Sequence, residues 1–545
     1  MGILMMGLHG QSDIVGGDRW ILIWRGHIAS TRTFWHPIMH PEVVSIIESR
    51  ILKLATTYSF DFLGLHEKHD EDFHVNGSIW NVASYANIDS GVHSNHKSFL
   101  DESLGPIPKK FKGICANEHD PTFKCNRKLI GARYFYKGLL EEAKLYNMTF
   151  NETLSPRDKE GHGSHTLSMA GWSFVSEASL NGLANGTAMG LAPKARLVAY
   201  KVHWSEAASD MDVLAAFEAA IDDNVDIINL SMGSAEQGFL DSIAVGSFHA
   251  MKNSILTIAA AGNSGPALGT VANDEKVGSE IFQNVPRVVS TALISYNDGQ
   301  TLFSYINSTR TPIVSFGEAI TSLGIKSAPI MADFSSRGPH SLILNYGVLK
   351  PNVTAPGVDI LAATPKSLEK KKENPFVLMS ELSMATPHVS GVAALLKTIH
   401  PDWSTAAIQS SLMTIASPLD KKGMPIRDND GVSEASHLAY GSGHIRPNLA
   451  MDPGLVYDMN EFDYLNLLCA INQNNTVLEN LSKQHSYDCP RDFSALDANY
   501  PSIYVPEFPR NTIINHKLKN TGQPSTYLPR MRPHMEFQSL WSLTH

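Results

Sequence analysis

Between residues 195 and 266 the chain alternates two kinds of apolar pattern. Residues 195–202, ARLVAYKV, form a nearly unbroken apolar run of strand length. The next stretch, MDVLAAFEAAIDDN, sets Val213, Leu214, Phe217, Ala220 and Ile221 on one face at helical spacing, which predicts a helix capped by Asp210 or Asp212. VDIINLSMGS returns to strand, with Ile227 and Ile228 adjacent; GFLDSIAVGSFHAMKN reads as helix; SILTIAAAGNSG reads as a strand running into a loop. Apolar strands alternating with helices predict βαβ units and a buried, mostly parallel sheet, an α/β fold. In such sheets chemistry gathers in loops beyond the carboxyl ends of the strands. That points to LSMGS (230–234) and AAGNSGP (260–266). Further on, Ser383 stands just ahead of the apolar run VAALLKTI, as a helix N-cap would. Residues 1–40 and the C-terminal end show no clear period, and 365–375 read as a charged surface loop.

A chain of 545 residues has room for two to four domains. With 43% hydrophobic and 18% charged residues it can build a sizeable core. The formal charge of -10 argues against nucleic acid as the main partner. No apolar run reaches the roughly 18 residues of a membrane span, so no membrane partner is expected. The N-terminus has no basic region and too short an apolar core for a secretion signal. Two features point the other way. Cys115, Cys125, Cys469 and Cys489 are spaced for local disulfides or free thiols, without a CxxC motif, and N-x-S/T sequons recur, as at Asn76, Asn147, Asn151 and Asn307.

Three acid–base stretches occur in chain order: NIDSGVHSNHKSF with Asp89, RDKEGHGSHTLSMAG with His162 and His165 among glycines, and MSELSMATPHVSG with Ser383. A hydroxyl nucleophile needs a base to take its proton, a carboxylate to hold that base, and donors aimed at the developing oxyanion. Asn263 could supply one such donor, and the Ser383 backbone N–H at a helix start another. Taken singly, each has a plainer reading. Ser383 serves as a cap, Asp89 and Asn263 as turn residues, and His162 with His165 as a metal pair three apart.

Together, the motifs IDSGVHSNHKSF, GHGSHTLSMAG, AAGNSGP and SMATPHVSG resemble those of plant-type subtilisin-like serine proteases (subtilases). GTAMGLAPKARLVAYKV, FSSRGP and LKPNVTAPGVDILAA extend the resemblance, which runs from about residue 40 to about 527. It implies a three-layer α/β sandwich with a mostly parallel central sheet and a serine endopeptidase acting on peptides or proteins without metal or organic cofactor. It implies the roles Asp89 orienter, His162 base and acid, Ser383 nucleophile and Asn263 oxyanion donor, with His165 a structural neighbour and Ser231, Met232 and Gly233 lining the substrate cleft. It implies an extracellular setting, apoplast or cell wall, although no signal peptide is seen. It also divides the chain into a propeptide remnant (1–55, with cleavage expected near Ala55–Thr56), a peptidase domain (56–490) holding a remnant of a protease-associated insert (287–325), and a truncated fibronectin-III-like β region (491–545).

Two departures from that pattern bear on function. The family has Gly-Thr before the nucleophile, where this chain has Glu381-Leu382. A glycine there would permit unusual backbone angles or close approach; a glutamate adds bulk and charge beside an oxyanion site. The strand leading to Asp89 is also short of apolar residues, only Ala86 to Ile88, which leaves Asp89 weakly held. The alternative function is therefore a catalytically impaired remnant or peptide-binding pseudoprotease.

Overall fold

The computed structural model describes residues 58–65, 83–145, 152–233, 241–271, 296–313, 327–365, 375–505 and 513–522, with short gaps inside these ranges, together with three short antiparallel strands before residue 50. Its centre is a parallel sheet of five strands: β1 (Ser84–Asp89), β2 (Leu129–Tyr134), β3 (Arg196–Lys201), β4 (Ile227–Leu230) and β5 (Leu256–Ala259). They lie in the order β5-β4-β1-β3-β2, with Ser84 opposite Arg196 and Ile88 opposite Leu230.

Strand alternation sends successive side chains to opposite faces. Tyr85, Leu129, Leu197, Ala199 and Ile227 share one core with Leu167 and Ala170 of helix α1 (His162–Gly171), Val392 and Leu396 of α4 (Leu382–Ile399) and Ile408 of α5 (Thr405–Thr414). Ala86, Ile88, Val198, Tyr200 and Leu230 join the opposite core, formed with Val213, Phe217 and Ala220 of α2 (Asp210–Asp222) and Ala250 of α3 (Ser242–Lys252). The result is the expected three-layer α/β sandwich. Each of these buried Leu, Val or Phe side chains contributes roughly 1.5–3 kcal/mol on leaving water.

Three expectations are corrected. The strand before Asp89 is not deficient: β1 has six residues, all buried, and lies at the middle of the sheet. Its polar members are satisfied, Ser84 by the Asp226 carboxylate at 2.7 Å from its N–H and 2.8 Å from its hydroxyl. Neither Asp210 nor Asp212 caps α2, whose N-cap is Ser209. Asp212 instead accepts from the Gly138 and Leu139 N–H groups at 3.0 and 2.9 Å, capping the neighbouring helix Lys137–Leu145. Nor is Ser383 the N-cap of α4: Glu381 occupies that position and Ser383 is the second helical residue.

The cysteines form two disulfides, Cys115–Cys125 and Cys469–Cys489. Of the proposed insert remnant, the described part contains helix Tyr296–Ser308; the expected cleavage point near residue 55 lies outside the described residues. In the C-terminal region the described stretch adds a two-residue strand, Lys519–Asn520, antiparallel to Leu455–Val456. Among the described residues no helix is long and apolar enough to cross a membrane, and no group of three or more His, Cys, Asp or Glu is placed to hold a metal ion.

Candidate active site

Asp89, Ser231 and Asn263 lie at or just beyond carboxyl ends of central strands: Asp89 closes β1, Ser231 follows β4, and Asn263 lies in the loop after β5. His162 opens α1 and Ser383 lies in the first turn of α4. Two glycines let α1 start where it does. Gly161, its N-cap, has φ 101°, a left-handed conformation suited to glycine. Gly163 packs so closely on the loop after Asp89 that a Cβ there would lie 2.3 Å from the Gly91 carbonyl oxygen.

This approach brings His162 Nδ1 to 2.8 Å from Asp89 Oδ1. The Asp89 carboxylate also accepts from the Ser90 N–H at 2.7 Å and the Thr166 hydroxyl at 3.0 Å, one helical turn beyond His162. Burial works to raise the Asp89 pKa, but the His162 charge and these donors hold it below the ordinary carboxylate value. Burial likewise works to lower the His162 pKa. The charge and hydrogen bond of Asp89, joined by the charges of Glu381 and Asp158, outweigh it and raise the pKa to about 9. His165 is fully buried, its Nε2 3.0 Å from the Ile360 carbonyl oxygen, and burial pushes its pKa to about 3. It is a neutral packing residue, and among the described residues no group of three or more ligands is built on it and His162.

The Ser383 hydroxyl donates to the Ser231 carbonyl oxygen at 3.0 Å, and among the described residues no hydrogen bond links it to His162. The residue facing His162 Nε2 is Glu381, whose Oε2 lies 3.8 Å away. Glu381 makes no side-chain cap bond to α4. Its backbone, φ -162° and ψ 167°, is extended, so the expectation that this position needs glycine for its conformation is corrected. The change from glycine therefore acts through the side chain.

Asn263 Oδ1 accepts from the Leu382 N–H at 2.8 Å, which fixes the amide beside the start of α4 and leaves Nδ2 as its donor end. The Ser383 N–H belongs to the same first turn, where backbone N–H groups lack intrahelical acceptors. FSSRGP braces the Asn263 loop: the Gly265 N–H donates to the Phe334 carbonyl at 2.9 Å and the Ser336 N–H to the Gly262 carbonyl at 3.1 Å. Of the three residues expected to line the cleft, Ser231 adjoins Ser383, Met232 packs against the core on the α2 and α3 side, and Gly233 is exposed.

Sequence patterns missed the polar frame behind these residues. Asp158 receives the N–H groups of Gly161 and Ser164 at 2.8 Å and the Ser90 hydroxyl at 3.0 Å, tying the start of α1 to the end of β1. The Asn87 amide donates to Thr166 Oγ1, and Asn229 donates to Asn87 and Ser231, each at 2.9 Å. Ser390 of α4 donates to Asn229 at 2.9 Å, and the Ser231 hydroxyl to the Ser383 carbonyl at 3.0 Å. That last carbonyl is open because its helical partner, residue 387, is a proline without an N–H. The available signal was Asn87 and Asn229, amides set between apolar neighbours in their strands.

The fold and this arrangement define an α/β protein with an Asp–His pair and a serine at the start of a helix, the subtilisin-like architecture. The chain belongs to the Subtilase family, whose model matches residues 86–443. It is 37% identical to "Subtilisin-like protease SBT5.4" of Arabidopsis thaliana over 90% of this chain and 78% of that one. It is 36% identical to "Subtilisin-like protease SBT5.3" of the same plant, with the same coverage, and 36% identical to "Subtilisin-like protease Glyma18g48580" of Glycine max, covering 90% of this chain and 79% of the relative.

Proposed function

We propose that this chain is a serine endopeptidase that cleaves peptide bonds through an acyl-enzyme on Ser383. The observation that carries the reading is the 2.8 Å bond between buried Asp89 and His162 at the carboxyl end of the central strand. Asp89 holds the Nδ1–H tautomer, so Nε2 is the basic nitrogen. In the working state the Ser383 hydroxyl leaves the Ser231 carbonyl and gives its proton to His162 Nε2 as Oγ attacks the scissile carbonyl carbon. Asn263 Nδ2 and the Ser383 N–H stabilise the oxyanion. The imidazolium then protonates the leaving amine, and water, deprotonated by His162, hydrolyses the acyl-enzyme. This chemistry requires no metal or organic cofactor. The two disulfides and the sequons support an extracellular setting for it.

A second reading, a pseudoprotease that only binds peptides, draws on one observation: Ser383 is bonded to Ser231 while Glu381 faces His162 Nε2. Labelling with a fluorophosphonate probe and mapping of the modified peptide decides between the two. Modification of Ser383, lost in His162→Ala, supports the peptidase. A folded chain that stays unlabelled from pH 6 to pH 10 refutes it.

A further inference from the structure

Glu381 puts a carboxylate 3.8 Å from His162 Nε2. On the peptidase reading, which this inference rests on, His162 Nε2 delivers its proton to the leaving nitrogen at hydrogen-bond distance. Glu381 Oε2 is 3.8 Å from the same Nε2, so the leaving nitrogen passes within roughly 7 Å of the carboxylate. The side chain of the residue after the scissile bond starts one carbon from that nitrogen. A long cationic side chain there is within reach of Glu381, and an acidic one meets repulsion.

Three features suit Glu381 to this task. Its side chain makes no helix-cap bond, and among the described residues it enters none of the hydrogen bonds of the polar frame. It keeps 29% of its surface exposed, so an incoming group can reach it. Its backbone is pinned, the N–H donating to the Gly357 carbonyl at 2.9 Å and the carbonyl accepting from the Met384 N–H at 3.1 Å, so the charge is presented from a fixed point.

We propose that Glu381 is a specificity-determining residue that selects substrates with arginine or lysine immediately after the scissile bond. The cation replaces the His162 imidazolium as the partner of the carboxylate, so a matched substrate also frees the base. An acidic residue at that position is disfavoured on both counts.

The test compares peptides differing only in the residue after the scissile bond, arginine against its neutral isostere citrulline. Two quantities are read: kcat/KM with the unmodified chain, and Kd by fluorescence anisotropy with Ser383→Ala, which needs no turnover. The expected preference for arginine is about five- to tenfold, the size of a half-exposed ion pair, and it falls to about one in Glu381→Gln. Moving arginine one residue further along should abolish it. Equal values for the two peptides, or an arginine preference that survives in Glu381→Gln, overturn the proposal. A preference in Kd without turnover upholds the subsite and refutes the peptidase. Turnover without preference upholds the peptidase and refutes the subsite, and absence of both binding and turnover refutes both.

Discussion

Replacing Glu381 with glutamine keeps the size and extended backbone of the residue and removes its charge. The magnitude follows from the contact. A unit charge pair at about 4 Å is worth about 1 kcal/mol in water and about 4 kcal/mol at an effective dielectric of 20. Both side chains are 29% exposed, which places this 3.8 Å pair toward the lower end, about 1.4 kcal/mol or one pKa unit. The His162 pKa, about 9 with Glu381 in place, should therefore fall to about 8 in the variant. The neutral imidazole is the base, so nucleophilic reactivity rises with pH and levels off above the pKa. At pH 7 about one molecule in a hundred carries neutral His162 in the parent and about one in ten in Glu381→Gln. Fluorophosphonate labelling of Ser383 should then be about tenfold faster in the variant at pH 7 and equal in the two proteins near pH 10. Stability moves with the opposite sign. The pKa is raised from 6.5 to about 9, so the stabilisation it contributes is fully present below pH 6.5 and is lost as pH rises through about 9. Labelling profiles with the same midpoint in both proteins would refute the electrostatic role. A uniform loss at every pH would show that the glutamate aids the reaction instead of restraining it.

Asp89→Asn should lower kcat by about 10⁴, because the amide no longer fixes the Nδ1–H tautomer, and should bring the midpoint of the pH profile down by removing the main charge that raises the His162 pKa; an unchanged pH profile would contradict the assignment. Asn263→Ala should cost about 10²–10³ in kcat with little change in KM, read from steady-state cleavage of one peptide. Gly163→Ala forces a Cβ against the Gly91 carbonyl and should destabilise the chain by about 1–3 kcal/mol, seen as a lower urea midpoint, with His162 drawn off Asp89. Reducing the Cys115–Cys125 disulfide, which closes a loop of sequence separation 10, should remove about 2–3 kcal/mol, measured by urea unfolding with and without reductant.

The sheet was legible because its three inner strands, β1, β3 and β4, are buried on both faces and its helices on one. Those two patterns alone order 196–259 correctly. The strand β1 was misjudged for a physical reason: an apolar count treats Ser84 and Asn87 as breaks, whereas Asp226, Thr166 and Asn229 satisfy them inside the fold. Buried polar groups are tolerated when fully bonded, and a sequence shows the group without its partner. The same limit applied to the cysteines, since four permit three pairings. Motif spacing singled out the residues of the candidate site, but not the direction of a side chain. Glutamate in place of glycine at 381 reads as damage in one dimension. In three dimensions its backbone is unstrained and its main-chain bonds are ones any residue would make. The frame that positions Asp89, His162 and Ser383 runs through Asp158, Thr166, Asn87, Asn229 and Ser231, and among the described residues none of its hydrogen bonds uses the Glu381 side chain. A substitution outside the frame but 3.8 Å from the base alters the charge the base meets. Its consequence therefore belongs in the pH profile and the choice of substrate, and the folded position of the Asp–His pair should be the same with glutamate or glutamine at 381.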